Sequence, residues 1–289
     1  VNTETLSGTS AIHKKIKNQL IIVRRWNEML HKRISLFNHK IIMNELITET
    51  EKERLIESIL CRCKYQNNKI IYWREKDKYL YPHFLLPTYE ESRVERSKKI
   101  RLITGELPRT FLLSHNAYEL ETLRFLAMWK LDDSDILKFL RCTEERLVHS
   151  CFDSFCVDGE CVGLSLVLLR FWNTYKPQDI ETINSMLMKL IDHTLNNTSK
   201  IPSFYLWLTL SELADKSELA NEIILKFSQD LYKLFQKGWI VNPNNADRYN
   251  PIRKYIIKNA LSKLPKFNYL KDAEVIISND GRCYGRFNT

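Results

Sequence analysis

Glycine and proline are scarce. The 289-residue chain holds 7 Gly and 8 Pro, too few for a sheet-rich protein with many tight turns, and the shortage favours helices. No apolar run approaches the roughly twenty residues of a membrane-spanning helix, so no transmembrane span is expected. The seven Cys are odd in number and scattered, which argues against a disulfide framework and for a reducing compartment. No pair has Cys-x2-Cys spacing, so Cys61, Cys63, Cys142, Cys151, Cys156, Cys161 and nearby His149 make a weak zinc candidate, and no metal site is expected. Internal repeats and low-complexity segments are absent, as is a Gly-rich phosphate loop. The opening Val1-Asn-Thr-Glu-Thr-Leu-Ser-Gly8 lacks a basic n-region and an apolar h-region, so no Sec leader is expected. Val1 in place of Met suggests a trimmed or partial chain.

What is present is an ordinary globular composition, 44% hydrophobic and 27% charged, with a net charge of +9. The charge is uneven. Residues 1–100 hold 20 Lys/Arg against 12 Asp/Glu, a difference of +8. Such a segment suits an acidic protein surface, phosphates, nucleic acid or a membrane surface. The expected organisation is a basic, mostly helical lobe over 1–100 and a helical region over 101–289, which can also join into one compact domain.

Apolar periodicity predicts one or two helices over 11–47, then helices over 49–64, 110–129, 134–141, 143–155, 162–175, 179–196, 202–214, 217–237 and 249–264. A short hairpin over 69–82, a charged segment over 89–100 and a terminal strand and turn from Val275 complete the reading. The fold class is mainly α, a compact multi-helix domain with a few short strands.

The stretch from Arg109 to Trp129 combines apolar character with chemistry. Leu113, Ala117, Leu120, Arg124 and Ala127 share a core-facing stripe, whereas His115, Glu119 and Thr122 fall on another face. His115 and Glu119 are four apart, so on a helix one sits above the other. A plainer account also fits: Asn116 as N-cap with Glu119 reaching back in a capping box. A helix beginning near Asn116 would place Ser114 and His115 at its positive end, where a phosphate can bind.

Three other segments invite function. Asp158-Gly-Glu-Cys-Val-Gly-Leu-Ser165 puts Cys161 at a helix start, where a thiol is acidified and could act as the nucleophile of a papain-like protease; the only later histidine is His193, within a predicted helix. Asp132 to Val148 has the apolar spacing of a helix-turn-helix, but Glu144 and Glu145 would open the recognition helix and repel DNA, so no nucleic-acid partner is expected. Arg248-Tyr-Asn-Pro-Ile-Arg-Lys254 is a basic helix entry that could hold a phosphate, although such a run is more often a solvated end.

Ser114-His-Asn-Ala-Tyr-Glu119 resembles the Ser and His-x-x-x-Glu motif of the LnaB-like bacterial effectors and toxins, a family of actin-dependent AMPylases. The likeness extends through Leu120 to Arg124, the Cys151 to Gly163 stretch and the Arg248 to Arg253 run, roughly residues 100–285. The resemblance implies AMP transfer from ATP to a host protein, with host actin as activator and an acceptor such as phosphoribosyl-ubiquitin or a phosphotyrosine. It implies delivery into the host cytoplasm by a bacterial secretion system. Ser114, His115 and Glu119 would be catalytic: His115 the base or α-phosphate contact, Glu119 its orienting partner, Ser114 a donor to phosphate oxygens. Arg109, Asn116, Arg124 and Arg253 would bind nucleotide or phosphate. ATP is the substrate, and Mg²⁺ use is open because no obvious Asp pair is present. The competing classes are a non-enzymatic basic helical adaptor for an acidic host protein and the Cys161 protease.

Overall fold

The computed structural model describes residues 30–65, 100–108, 111–130, 132–148, 161–196 and 203–287, together with Phe155 and Val157. For 61–65, 111–116 and a few other helical positions it describes the backbone alone. The architecture is mainly α. In chain order come α1 (30–43), α2 (Glu49–Tyr65), α3 (Phe111–Trp129), α4 (Ser134–Val148) and α5 (Cys161–Tyr175). They are followed by α6 (Ile180–Asn196), α7 (Ser203–Leu213), α8 (Glu218–Lys226) and α9 (Ser228–Gln236). Strand β1 (Trp239–Ile240), a 3₁₀ turn (Ala246–Tyr249), α10 (Asn250–Leu261) and a second 3₁₀ segment (Pro265–Asp272) lead to β2 (Glu274–Ile277) and β3 (Arg282–Arg286). The strands form one antiparallel sheet in the order β1-β3-β2, with Trp239 opposite Cys283 and Val275 opposite Gly285.

Two helices form the axis of the core. On α5 every residue from Val162 to Phe171 is buried, and on α3 every residue from Ala117 to Ala127. These two helices pack together more extensively than any other pair described. A helix apolar on all sides must be surrounded, and here α1, α4, α6, α7 and α10 contribute Ile34, Leu140, Leu187, Leu210 and Ile257 to the same core. The stripe expected on α3 therefore has no solvated opposite face, because Glu119 and Thr122 are buried too. Residues 30–65, the described part of the basic N-terminal region, share this core through Phe37, Leu55 and Ile59.

Local chemistry sets several helix ends. Thr48 and Glu51 form a reciprocal capping box at α2: Glu51 N donates to Thr48 Oγ1 (3.3 Å) and Thr48 N to Glu51 Oε2 (3.0 Å). Asp133 Oδ1 accepts from Asp135 N and Ile136 N at α4, Asp179 from Thr182 N at α6, and Ser217 from Ala220 N at α8. Asn44, at φ 58, ends α1 in the left-handed region that Asn tolerates. The buried Lys254 closes α9 from a distance: its Nζ donates to the carbonyls of Leu234, Phe235 and Lys237 and lies 4.1 Å from the Trp239 ring centre. Burial brings its pKa down to about 8.

Three expectations are corrected. Residues 134–148 form one continuous helix, with Ile136, Leu140, Thr143 and Leu147 as its buried stripe, so the helix-turn-helix is absent there. The segment 217–237 is two helices broken at Phe227, whose ring packs on Trp207. Helix α3 begins at Phe111, not near Asn116. Asn116 is thus inside the helix, where its N–H already faces the carbonyl four residues back, and the capping box disappears. Neither β1 nor the 3₁₀ segment from Pro265 was anticipated. The expected hairpin over 69–82 and most of the charged segment 89–100 lie outside the described residues.

A buried charge cluster ties four helices together. Arg170 on α5 donates from Nη1 to Glu121 Oε1 on α3 (2.5 Å) and to Asn38 Oδ1 on α1 (2.8 Å). Its Nε and Nη2 grip both carboxylate oxygens of Glu212 on α7 (2.7 and 2.8 Å). Arg124 adds longer bonds to Asn38 and Glu212, both 3.3 Å, and the Tyr205 hydroxyl donates to Glu121. Two guanidinium groups meet two carboxylates, so formal charge balances in the interior. Burial alone would favour the neutral forms, but Glu121 and Glu212 hold the Arg170 pKa above its ordinary value. Burial would raise Glu212 as well; Arg170 and Arg124 override it and hold its pKa below the ordinary 4.5.

Removing one partner strands the others in a medium that cannot hydrate them. Arg170→Ala is expected to cost about 3–5 kcal/mol in urea denaturation. The depressed Glu212 pKa means the unfolded chain binds more protons than the native one as pH falls into the glutamate range. Stability from Glu212 is complete above that range and is lost as pH drops through it. Melting curves across pH 3–7 should therefore fall less steeply toward acid in Glu212→Gln than in the wild type.

Candidate functional site

The segment 100–106 is an irregular loop laid between α1, α3, α7 and α10, and side chains from the surrounding helices fasten it. The Arg101 carbonyl accepts from the Tyr118 hydroxyl on α3 (2.8 Å), and the Ile103 carbonyl from His39 Nε2 on α1 (2.6 Å). The Thr104 carbonyl accepts from Arg253 Nε on α10 (3.0 Å), and the Gly105 carbonyl from Arg101 Nη1 (3.1 Å). Glu106 closes the arrangement at α7. Its carboxylate accepts from the backbone N–H groups of Phe204 and Tyr205, both at 3.1 Å, and so caps the positive end of that helix. Burial raises the Glu106 pKa, against the opposing pull of these donors and of Arg253.

Gly105 is the loop's pivot. Its φ is +81°, a conformation L side chains rarely adopt, and a Cβ there would lie 2.3 Å from the Tyr249 ring. No other residue type gives both the turn and the close approach of Tyr249.

On its outer side the loop forms one wall of a cleft of about 620 Å³. Helix α1 supplies His31, Lys32, Ser35, Leu36 and His39; the loop supplies Ile100 and Arg101, α3 supplies Tyr118, and the 3₁₀ turn with α10 supplies Arg248, Tyr249 and Ile252. Lys32, Arg101 and Arg248 are cationic side chains, and among the described residues no Asp or Glu lines the cleft. The pKa of His39 is lowered by burial first and by neighbouring Arg248 as well, so this ring is neutral at pH 7. Its bond to the Ile103 carbonyl requires Nε2 to carry the proton. Burial likewise holds the Tyr118 hydroxyl protonated, with its pKa well above the ordinary phenol range. The cleft is thus a cationic concavity of a size typical for small-ligand sites.

The structure distributes the expected site residues unevenly. Ser114, His115, Asn116 and Glu119 all lie on α3, and His115 and Glu119 share a continuous helix at a spacing of one turn. The helix begins three residues before Ser114, so Ser114 is past its first turn and not among the free N–H groups. The side chains of Ser114, His115 and Asn116 lie outside the described residues, as does all of Arg109. Glu119 is 2% exposed.

Arg124, expected at a pyrophosphate, is 3% exposed and belongs to the charge cluster. Arg253, the other expected phosphate ligand, braces the loop instead: besides Thr104 it donates to Asn250 Oδ1 (3.0 Å) and stacks on Phe204 at 4.8 Å. Burial lowers its pKa, with Glu106 opposing. Cys161 is the first residue of α5 and is partly exposed, while His193 lies in the last turn of α6. Among the described residues no group of three His, Cys, Asp or Glu is placed to hold a metal ion. The side chains of most cysteines of the zinc candidate lie outside that set.

The residues that sequence reasoning missed are Lys32, Arg101 and Arg248 as one set. Arg248 sits in the basic run already singled out, but nothing in the spacing links positions 32, 101 and 248.

The chain matches no family model, no curated protein and no solved structure with which it was compared.

Substituting the pivot should be costly, because Ala cannot relieve both the backbone strain and the Tyr249 clash. Gly105→Ala is expected to lose more than about 1 kcal/mol in urea denaturation, whereas Gly281→Ala meets nothing within 4 Å and has only the backbone cost of its φ of +73°.

Proposed function

We propose that the protein transfers AMP from ATP to a host protein, as an effector of the LnaB-like kind with host actin as its activator. One observation carries the reading: Tyr118, inside Ser114-His-Asn-Ala-Tyr-Glu119, forms part of the wall of the cationic cleft. The helix bearing the His-x-x-x-Glu motif therefore abuts a concavity suited to phosphates.

In the proposed reaction a nucleophilic oxygen of the acceptor attacks the α-phosphorus of ATP. A bond from that oxygen to phosphorus forms, the bridge to the β-phosphate breaks, and pyrophosphate leaves. His115 takes the proton of a hydroxyl acceptor or contacts the α-phosphate if the acceptor is itself a phosphoryl group. Glu119, one turn along a rigid buried helix, orients the imidazole and raises its basicity. Cationic side chains offset the charge gathering on the leaving group, and holding both reactants in line supplies much of the acceleration. Ser114 donates to a phosphate oxygen.

The cleft also supports a second reading, a non-enzymatic adaptor that seats an acidic segment of a host protein. The two separate cleanly when labelled ATP is incubated with host-cell lysate, with and without added actin. Under AMP transfer, label appears on a protein band only with actin and is lost in His115→Ala. No label under any condition, from folded protein, sinks AMP transfer and favours the adaptor, for which His115→Ala should still capture the same partner.

A further inference from the structure

We propose that the cleft between α1, the 100–106 loop and the start of α10 is a binding site for a di- or triphosphate group, held by Lys32, Arg101 and Arg248. The sequence offers the Arg248 run as a phosphate holder but does not join it to Lys32 or Arg101, and the inference concerns binding alone, so it goes beyond AMP transfer and does not require it.

The charge is the first argument. Three cationic side chains from three separate elements line one concavity of about 620 Å³, with no carboxylate among its described lining residues. A lone carboxylate ligand would leave most of that charge unmatched; a multiply charged anion would not. Guanidinium forks also match phosphate oxygens in geometry.

Preorganisation is the second. Arg101 is anchored by its bond to the Gly105 carbonyl. Arg248 lies over the Tyr249 ring at 4.9 Å and donates from Nη2 to the Tyr249 hydroxyl (3.0 Å). Each uses one of its five N–H donors in this way, and each loses less freedom on binding than a mobile side chain would. The walls are the third argument. Leu36, Ile100, Ile252 and the Tyr249 ring are low-dielectric surfaces beside the cations, and such walls focus a field that open solvent would disperse.

The polyphosphate can belong to a nucleoside triphosphate or be free, and calorimetry on the whole chain separates the sources. Pyrophosphate, ATP and AMP would be titrated separately at low and high salt. Pyrophosphate and ATP are expected to bind with one-to-one stoichiometry, more weakly at high salt, and AMP about tenfold or more weakly than either. ATP much tighter than pyrophosphate assigns the site to a nucleotide; equal affinities assign it to the polyphosphate alone.

Lys32→Gln and Arg248→Gln change exposed side chains and should leave the melting temperature in place. Each is expected to weaken pyrophosphate binding about tenfold. Absence of binding by pyrophosphate and ATP to folded wild type overturns the proposal, and so does affinity unchanged in the Lys32→Gln/Arg248→Gln double variant. Intact pyrophosphate binding without AMP transfer would leave this site standing and sink only the reaction.

Discussion

The bidentate grip of Arg170 on Glu212, with Glu121 and Asn38 closing the other side, is the constraint from which the rest of the structure follows. A guanidinium with no exposure to water survives only if its donors are matched, and here they are matched from three other helices. The requirement fixes more than proximity. A helix sliding by one turn moves its side chain about 5 Å and breaks the bonds, so α1, α3, α5 and α7 have one permitted register. Apolar packing among Leu, Ile and Phe side chains tolerates several nearby arrangements. The charge cluster selects one of them, at the expense of stability that a purely apolar centre could supply.

That register holds up the functional surface. The cluster positions α3, and α3 positions both the motif and Tyr118. It positions α7, whose N-terminus receives Glu106 and so pins one end of the loop. Asn38 lies in the cluster while His39, the next residue on α1, holds the Ile103 carbonyl on the cleft side. Adjacent residues of one helix thus join the interior network to the loop. The basic cleft is the outer face of the same construction that the buried ions hold from within.

Arg124 and Arg253 show how a cationic side chain divides between two roles. Each lies in or near a motif-like stretch and each reads in sequence as a phosphate ligand. In the structure both direct guanidinium donors to protein acceptors: Arg124 to Asn38 and Glu212, Arg253 to Thr104 and Asn250. Arg248, five residues before Arg253 on the same basic run, is exposed and lines the cleft. The difference is burial. A guanidinium withdrawn from water, fully in Arg124 and partly in Arg253, turns donors to its own chain, whereas an exposed one on a concave wall keeps donors for a ligand.

Much of the helical framework was legible in sequence, because a 3.6-residue period and a polar cap are local properties. The periods of α2, α5, α6 and α7 and the scarcity of glycine and proline led to the mainly α fold within a residue or two at the ends. Local reasoning failed where two local accounts competed. Asn116 with Glu119 makes a complete capping box on paper, but α3 starts a turn and a half earlier. The charge cluster had a faint signal, a charged residue inside an otherwise apolar helix at Arg170, Glu121 and Arg124, with no indication of which partner each would meet. Residues 38, 121, 170 and 212, and likewise 32, 101 and 248, are brought together by helix packing across long stretches of chain. The sequence by itself determined the helices, their apolar faces and the basic character of the chain, since each depends on neighbours a few positions away. Only the tertiary structure decided which charges are buried against one another and which converge on a cleft, because charges far apart in the chain interact only after the backbone has brought them within a few ångströms.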